Sequence, residues 1–214
     1  MITDEFKFQV KAESEAKVLA LGGRICNWLP ILDTPAVRAV AEVQGRMSVL
    51  NALINISFSA PISVIRDWLT EHELNVFVSE EEEQLLAKTN DELTDRELGG
   101  LRWNLECLWA MMWATGLTDE LDPTEWCGNE MAAMLPNLEL GEGNDKLEQV
   151  RALRPTEELY RMLDYHYRLH WYCVDERLHA REALVNEGIV YERRKALEWI
   201  FNRAADWDDV EMST

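Results

Sequence analysis

The sequence predicts an all-α protein: a single compact multi-helix domain over residues 1–214, with a tryptophan-rich, polar-networked core. Three observations carry this expectation. Nine tryptophans run through segments with helical periodicity, and charged residues share their apolar faces. A buried charge persists only when it is paired, so those charges should meet one another inside the domain. No period-2 series stands out, and only Phe6 to Val10 or Leu74 to Val78 would supply one short strand pair. A chain of 214 residues also buries about 70% of its unfolded surface, so it needs no disulfide or metal staple.

Taken in order, a first helix is expected from about Ser14 towards Trp28, stopping before Pro30. Thr34-Pro35 reads as an N-cap followed by proline at the first helical position. The helix it opens carries Val40, Val43, Met47, Leu50 and Ile54 on one stripe and ends before Pro61. Ile62 to Leu69 gives a shorter helix holding Trp68. Ser79 and Glu82 have capping-box spacing, and the acidic first turn that follows Ser79 complements the helix dipole. That accounts for the glutamate run without a ligand. Thr94 and Glu97 repeat the box before a long helix through Trp113, stopped by Gly116. Asp122-Pro123 is expected to start another helix, ending near Leu135-Pro136. Residues 137–146, rich in glycine and acids, form the expected loop or hinge. Thr156 then caps a helix through about Leu178, and a last helix covers roughly Val190 to Ala205.

Charge narrows the function classes. Asp and Glu number 40 against 21 Lys plus Arg, a formal charge of -19. Such a field repels phosphate backbones, and the densest basic cluster, Arg193-Arg194-Lys195, is brief, so nucleic acid is not an expected partner. A basic protein is the partner such a surface would attract. The N-terminus lacks the pattern of a signal peptide, and no stretch approaches ~20 uninterrupted apolar residues, so neither export nor a membrane span is expected. Cys26, Cys107, Cys127 and Cys173 form no CxxC pair and read as reduced cysteines of a cytoplasmic protein.

Several residues are candidates for chemistry. Glu106 sits among tryptophans with Arg102 one turn earlier; this reads as an internal i,i+4 ion pair, or else as a general acid or base of raised pKa. His166 and His170 stand one turn apart, and Cys173 adds a third potential metal ligand. The run His166-Tyr167-Arg168-Leu169-His170 lacks the glutamate of a zinc-hydrolase motif, so core histidines are the favoured reading and no metal or cofactor is expected. The polar core is expected to comprise Glu106, His166, His170, Asp175, Arg177, Arg193 and Arg194. Trp199 reads as an exposed anchor for a partner or as an indole covered by the chain's own tail. Trp207, Asp208 and Asp209 are the other candidate partner-binding residues; with Asp206 their spacing fits no EF-hand. Phosphate-loop, dinucleotide and nucleophile-elbow motifs are absent.

The motifs together resemble a known family. Glu42-Val43-Gln44-Gly45-Arg46 leads into Leu50-Asn51-Ala52. Then come Trp103-x-x-Glu106-x-Leu108-Trp109 through Trp113-Ala114-x-Gly116, Tyr167-Arg168-Leu169-His170-Trp171 and Glu192-Arg193-Arg194-x-Ala196-Leu197-x-Trp199. Trp207-Asp208-Asp209-Val210 ends the series. From roughly Glu13 to Val210 the chain resembles a bacterial family known only as a domain of unknown function, marked by YRLHW-like and WDDV-like motifs. Members often end on a Thr-Asp-Thr-like sequence, where this chain reads Glu211-Met212-Ser213-Thr214. The resemblance implies a mostly helical, cytoplasmic bacterial protein and assigns no catalytic residues.

No motif assigns an activity, and two classes remain open. One is a non-enzymatic binding protein, an acidic partner or immunity-type neutraliser of a basic protein such as a bacterial toxin. The other is an enzyme with a site where the His170, Glu192 and Asp208 segments converge, with Glu106 as a further catalytic candidate.

Overall fold

The protein is seen in a computed structural model that describes residues 2–33 and 36–214. Its helices are α1 (Asp4–Ala20), α2 (Val40–Ser57), α3 (Ile62–Glu71), α4 (Glu80–Leu86), α5 (Asp95–Ala114), α6 (Met131–Met134), α7 (Asp145–Glu148), α8 (Thr156–Leu178) and α9 (Glu187–Phe201). Among the described residues there is no strand, only an isolated parallel bridge between Ala36 and Asn202. The all-α class therefore holds.

Spatial order differs from chain order. Helix α5 lies in the middle between α2 and α9, α8 packs on α9, α1 on α8, and α3 on α2. Every residue of α5 from Glu106 to Ala114 is buried, which explains why its apolar positions run nearly all round the helix. One core joins α2, α5, α8 and α9; a second lies under α3; a third lies between α1, α8 and the start of α9.

Local signals set most boundaries, and several expectations need correcting. α1 begins at Asp4 rather than near Ser14, because the Thr3 hydroxyl accepts the Phe6 N–H at 3.2 Å and acids occupy the first turn. It stops at Ala20, ahead of the weakly helical Gly22-Gly23 pair. Phe6 to Val10 is thus helix, and Leu74 to Val78 contains a 3-10 turn at Asn75–Phe77, so neither supplies a strand. Thr34-Pro35 lies outside the described residues; α2 begins at Val40, where the Glu42 carboxylate accepts the Ala39 N–H at 2.9 Å.

Asp122-Pro123 opens a turn and not a helix. The Asp122 carboxylate accepts the Thr124 N–H and hydroxyl at 2.8 and 2.7 Å, and only the four residues of α6 are helical before Pro136. α8 has the expected extent, with Pro155 at the cap and Thr156 as its first helical residue. α9 starts at Glu187, capped by Asn186, and ends at Phe201 instead of Ala205, because Asn202 leaves the helix to bridge Ala36. α5 stops as its sequence predicts, two residues before Gly116, whose φ of +76 suits glycine.

Residues 137–146 form a loop that runs into α7 and is clasped to the body. The Trp68 indole N–H donates to the Glu142 carbonyl at 3.0 Å, and the Ser48 hydroxyl donates to Asn144 at 2.9 Å.

Candidate functional site

Buried charge resolves into separate pairs rather than one network. Glu106 pairs with Arg193 of α9, not with Arg102: Arg193 Nε and Nη2 lie 2.8 and 2.7 Å from its Oε2. Arg102 turns away to the Ser57 carbonyl at 2.9 Å and lies over the Phe58 ring. A second group holds His170, whose Nδ1 accepts from Arg194 Nη1 at 2.7 Å, while Arg194 also donates to Glu198 and to the Met212 and Ser213 carbonyls. Asp175 and Arg177, expected in the core, lie outside it: Asp175 is half-buried and pairs with Arg181 at 2.6 Å, and Arg177 is exposed and pairs with Glu187 at 3.0 Å, because both stand in the last turn of α8, off the face that keeps Glu176 buried.

Two buried pairs escaped the sequence reading. Arg168 grips Asp164 with two bonds of 2.9 and 2.8 Å, an i,i+4 pair open to detection. Arg46 of α2 pairs with Glu82 of α4, which also accepts the Ser79 N–H at 3.0 Å. A charged residue amid the apolar run of α2 signals a buried partner, but nothing local says which. Gly45, beside it, allows the Phe77 ring to rest on the helix; a Cβ there would fall 2.3 Å from the ring.

Burial holds His166, His170 and three of the thiols in their neutral forms. Burial lowers His166 to about 3, and burial with the neighbouring Arg194 lowers His170 to about 4, so both are neutral at physiological pH. His166 Nδ1 is 3.0 Å from the Met162 carbonyl, which places the proton on that nitrogen. Burial pushes Cys127 up to about 11, Cys173 to about 12 and Cys107 well above its ordinary value. These thiols are therefore protonated at neutral pH and poor nucleophiles. Among the described residues no group of three or more His, Cys, Asp and Glu side chains is arranged to hold a metal ion, and His166, His170 and Cys173 do not form one.

The catalytic candidates are dispersed. His170 faces Arg194 and Tyr191, whereas Glu192, its carboxyl pushed up by burial, accepts the Cys107 S–H at 3.1 Å. Asp208 serves α4: its carboxylate accepts the Ser79 hydroxyl at 2.7 Å and the Glu81 N–H at 3.0 Å, capping that helix from across the chain. Among the described residues no hydrogen bond or ion pair links the three.

The partner-binding candidates do converge. Trp199, Trp207, Asp208 and Asp209 line one cleft of about 700 Å3 with Arg38, Arg46, Glu80, Glu81 and Asp206. The Trp199 and Trp207 rings meet edge to face at 5.6 Å, and both are buried, so neither stands out as an exposed anchor. The Arg38 guanidinium lies 3.9 Å from the Trp199 ring centre; Arg46 and Lys195 lie 4.3 and 4.5 Å from that of Trp207. Arg38 further donates to the Trp199 and Asn202 carbonyls at 2.8 and 3.0 Å. The floor is thus an internal cation–indole stack. The rim is different: Glu80, Glu81, Asp206 and Asp209 are exposed and, among the described residues, form no ion pair.

Residues 13–210 match the family described as Domain of unknown function (DUF4272), and the chain belongs to that family. No curated protein and no solved structure matched it.

Proposed function

We propose that this member of a family without an assigned activity is a binding protein, whose acidic-rimmed cleft takes a basic segment of a protein partner in the manner of an immunity-type neutraliser. The observation that supports this most is the rim of carboxylates, Glu80, Glu81, Asp206 and Asp209, which have no ion partner among the described residues and surround a buried indole floor. Arg38 and Arg46 have their ion partners in Glu42 and Glu82, and Arg38 also donates to the Trp199 and Asn202 carbonyls. The dispersion of His170, Glu192 and Asp208 favours binding over catalysis. The -19 charge makes steering of a basic partner strong at low salt and weak at high salt. We take the cytoplasm as its compartment, since all four cysteines are free and no described helix is long and apolar enough to cross a membrane.

The test is fluorescence anisotropy with a labelled lysine- and arginine-rich peptide, at low and high salt, on the wild type and a Glu80→Lys/Glu81→Lys/Asp206→Lys/Asp209→Lys variant. We expect salt-sensitive binding that the variant weakens by more than about tenfold, since each exposed ion pair contributes ~0.2–1 kcal/mol. Duplex DNA should not bind either protein. Equal affinity in both proteins would remove the cleft as the site, and no binding at low salt would overturn the reading itself.

A further inference from the structure

We infer that a pocket between α2, α5 and α6 binds an uncharged, largely apolar small molecule that donates one N–H or O–H hydrogen bond. It encloses about 380 Å3, within the range of small-molecule sites, and shares no lining residue with the cleft at Trp199 and Trp207. Its apolar surface comes from Ile54 and Phe58, Leu105 of α5, Met131 of α6 and Leu135 just after it.

The feature that points to a ligand is Asn51. This side chain is 5% exposed and lines the pocket. Its Nδ2 donates to the Pro136 carbonyl at 3.1 Å. Only the amide nitrogen can make that bond, so Oδ1 occupies the other arm of the carboxamide. Among the described residues no donor reaches Oδ1, and it is not sealed over. A buried carbonyl without a donor is costly and rare. Water can donate to it, but water leaves the apolar walls wet. A ligand with one donor and an apolar body satisfies both.

Charge narrows the class. No lysine or arginine lines the pocket and Glu139 is its one acid; the carboxamides of Asn51, Asn55, Asn129 and Asn137 supply its other strong hydrogen-bonding side chains. In a chain of charge -19, an anion is repelled at long range and meets no counter-charge here. A cation finds a single exposed carboxylate.

The walls are also held in place. Glu106 Oε1 accepts the Cys127 N–H at 3.0 Å ahead of Met131, and Lys146 Nζ donates to the Leu135 carbonyl at 2.9 Å behind it. With the Asn51 bond to Pro136, the segment that carries Met131 is tied at both ends.

The experiment titrates the full chain, labelled with 13C in its methionine methyl groups, with indole and with 1-benzothiophene, which has nearly the same shape and no N–H. The Met131 signal, assigned with Met131→Leu, reads the site. Expected is a saturable shift by indole, with the thiophene binding roughly tenfold more weakly because it leaves Asn51 Oδ1 without a donor. Asn51→Leu removes the acceptor at similar volume and should erase the difference between the two compounds. Ala132 is exposed at the pocket, so Ala132→Trp should block both without disturbing the fold, and it decides the matter should Asn51→Leu not fold. No saturable shift by indole, equal affinity of the two compounds for the wild type, or unchanged binding in Ala132→Trp would overturn the inference. So would tighter binding of indole-3-acetate, which marks an anion site, or of N-acetyl-tryptophan amide, which marks a protein side chain as the occupant.

Discussion

Glu106 on α5 and Arg193 on α9 approach to 2.7 Å with both side chains sealed from solvent, and together they also hold the backbone of residues 122–127. The pair joins two central helices to the loop that follows α5. A buried ion pair contributes little net stability against an apolar replacement, but removal of one member strands the other.

Glu106→Ala should therefore cost about 3–5 kcal/mol, since Arg193 would remain buried and uncompensated. For a domain of this size that is a fall in Tm of roughly 10 °C, at about 2–4 °C per kcal/mol. An unchanged thermal midpoint would refute the role given to this pair.

Glu82 should behave similarly despite its place in an acidic surface run. Its carboxylate serves Arg46 and the Ser79 N–H, whereas Glu80 and Glu81 have no ion partner among the described residues. Glu82→Ala should lower stability by about 3 kcal/mol or more, and Glu81→Ala by less than about 0.5 kcal/mol. Urea midpoints measure both, and equal effects would contradict the assignment.

Acid should destabilise the fold through its histidines. Unfolded histidines take up protons below about pH 6.5, whereas His170 and His166 resist protonation until about 4 and about 3 when folded. The folded pKa values are depressed, so this stability is fully present above about pH 6.5. It declines as pH falls below about 6.5, and the loss is complete once pH has fallen through about 4 for His170 and about 3 for His166. His170→Gln, which keeps an acceptor for Arg194, should flatten the loss of urea stability between pH 6.5 and 4; the same slope in both proteins would exclude His170 as a source.

Asp208 and Asp209 are neighbours with unlike duties. Asp208 caps α4, so Asp208→Ala should cost about 1 kcal/mol of stability. Asp209 is exposed on the cleft rim, and Asp209→Ala should change stability by less than about 0.5 kcal/mol. Chemical denaturation of the two variants separates these roles, and matching losses would remove the capping assignment.

The sequence by itself determined the helical class, the central place of α5, the capping boxes at Ser79 and Thr94, and the stop before Gly116. Those features depend on contacts within a turn or two, or on periodicity along one helix, and both are written locally. It also marked Glu106, Arg193 and Arg194 as charges in need of partners, though not Arg46, Glu82, Asp164 or Arg168. Only the tertiary structure decided who the partners were: Arg102 was available to Glu106 one turn away, but Arg193, 87 residues distant, took the place. The motif Glu42-Val43-Gln44-Gly45-Arg46 shows the same limit, since Gln44 reaches the Leu147 carbonyl, Gly45 the Phe77 ring and Arg46 the Glu82 carboxylate, each on a different distant element. Which face of a helix meets which neighbour is fixed by the packing of the whole row, and a side chain's partner, its burial and the free carboxylates left at the surface all follow from that choice.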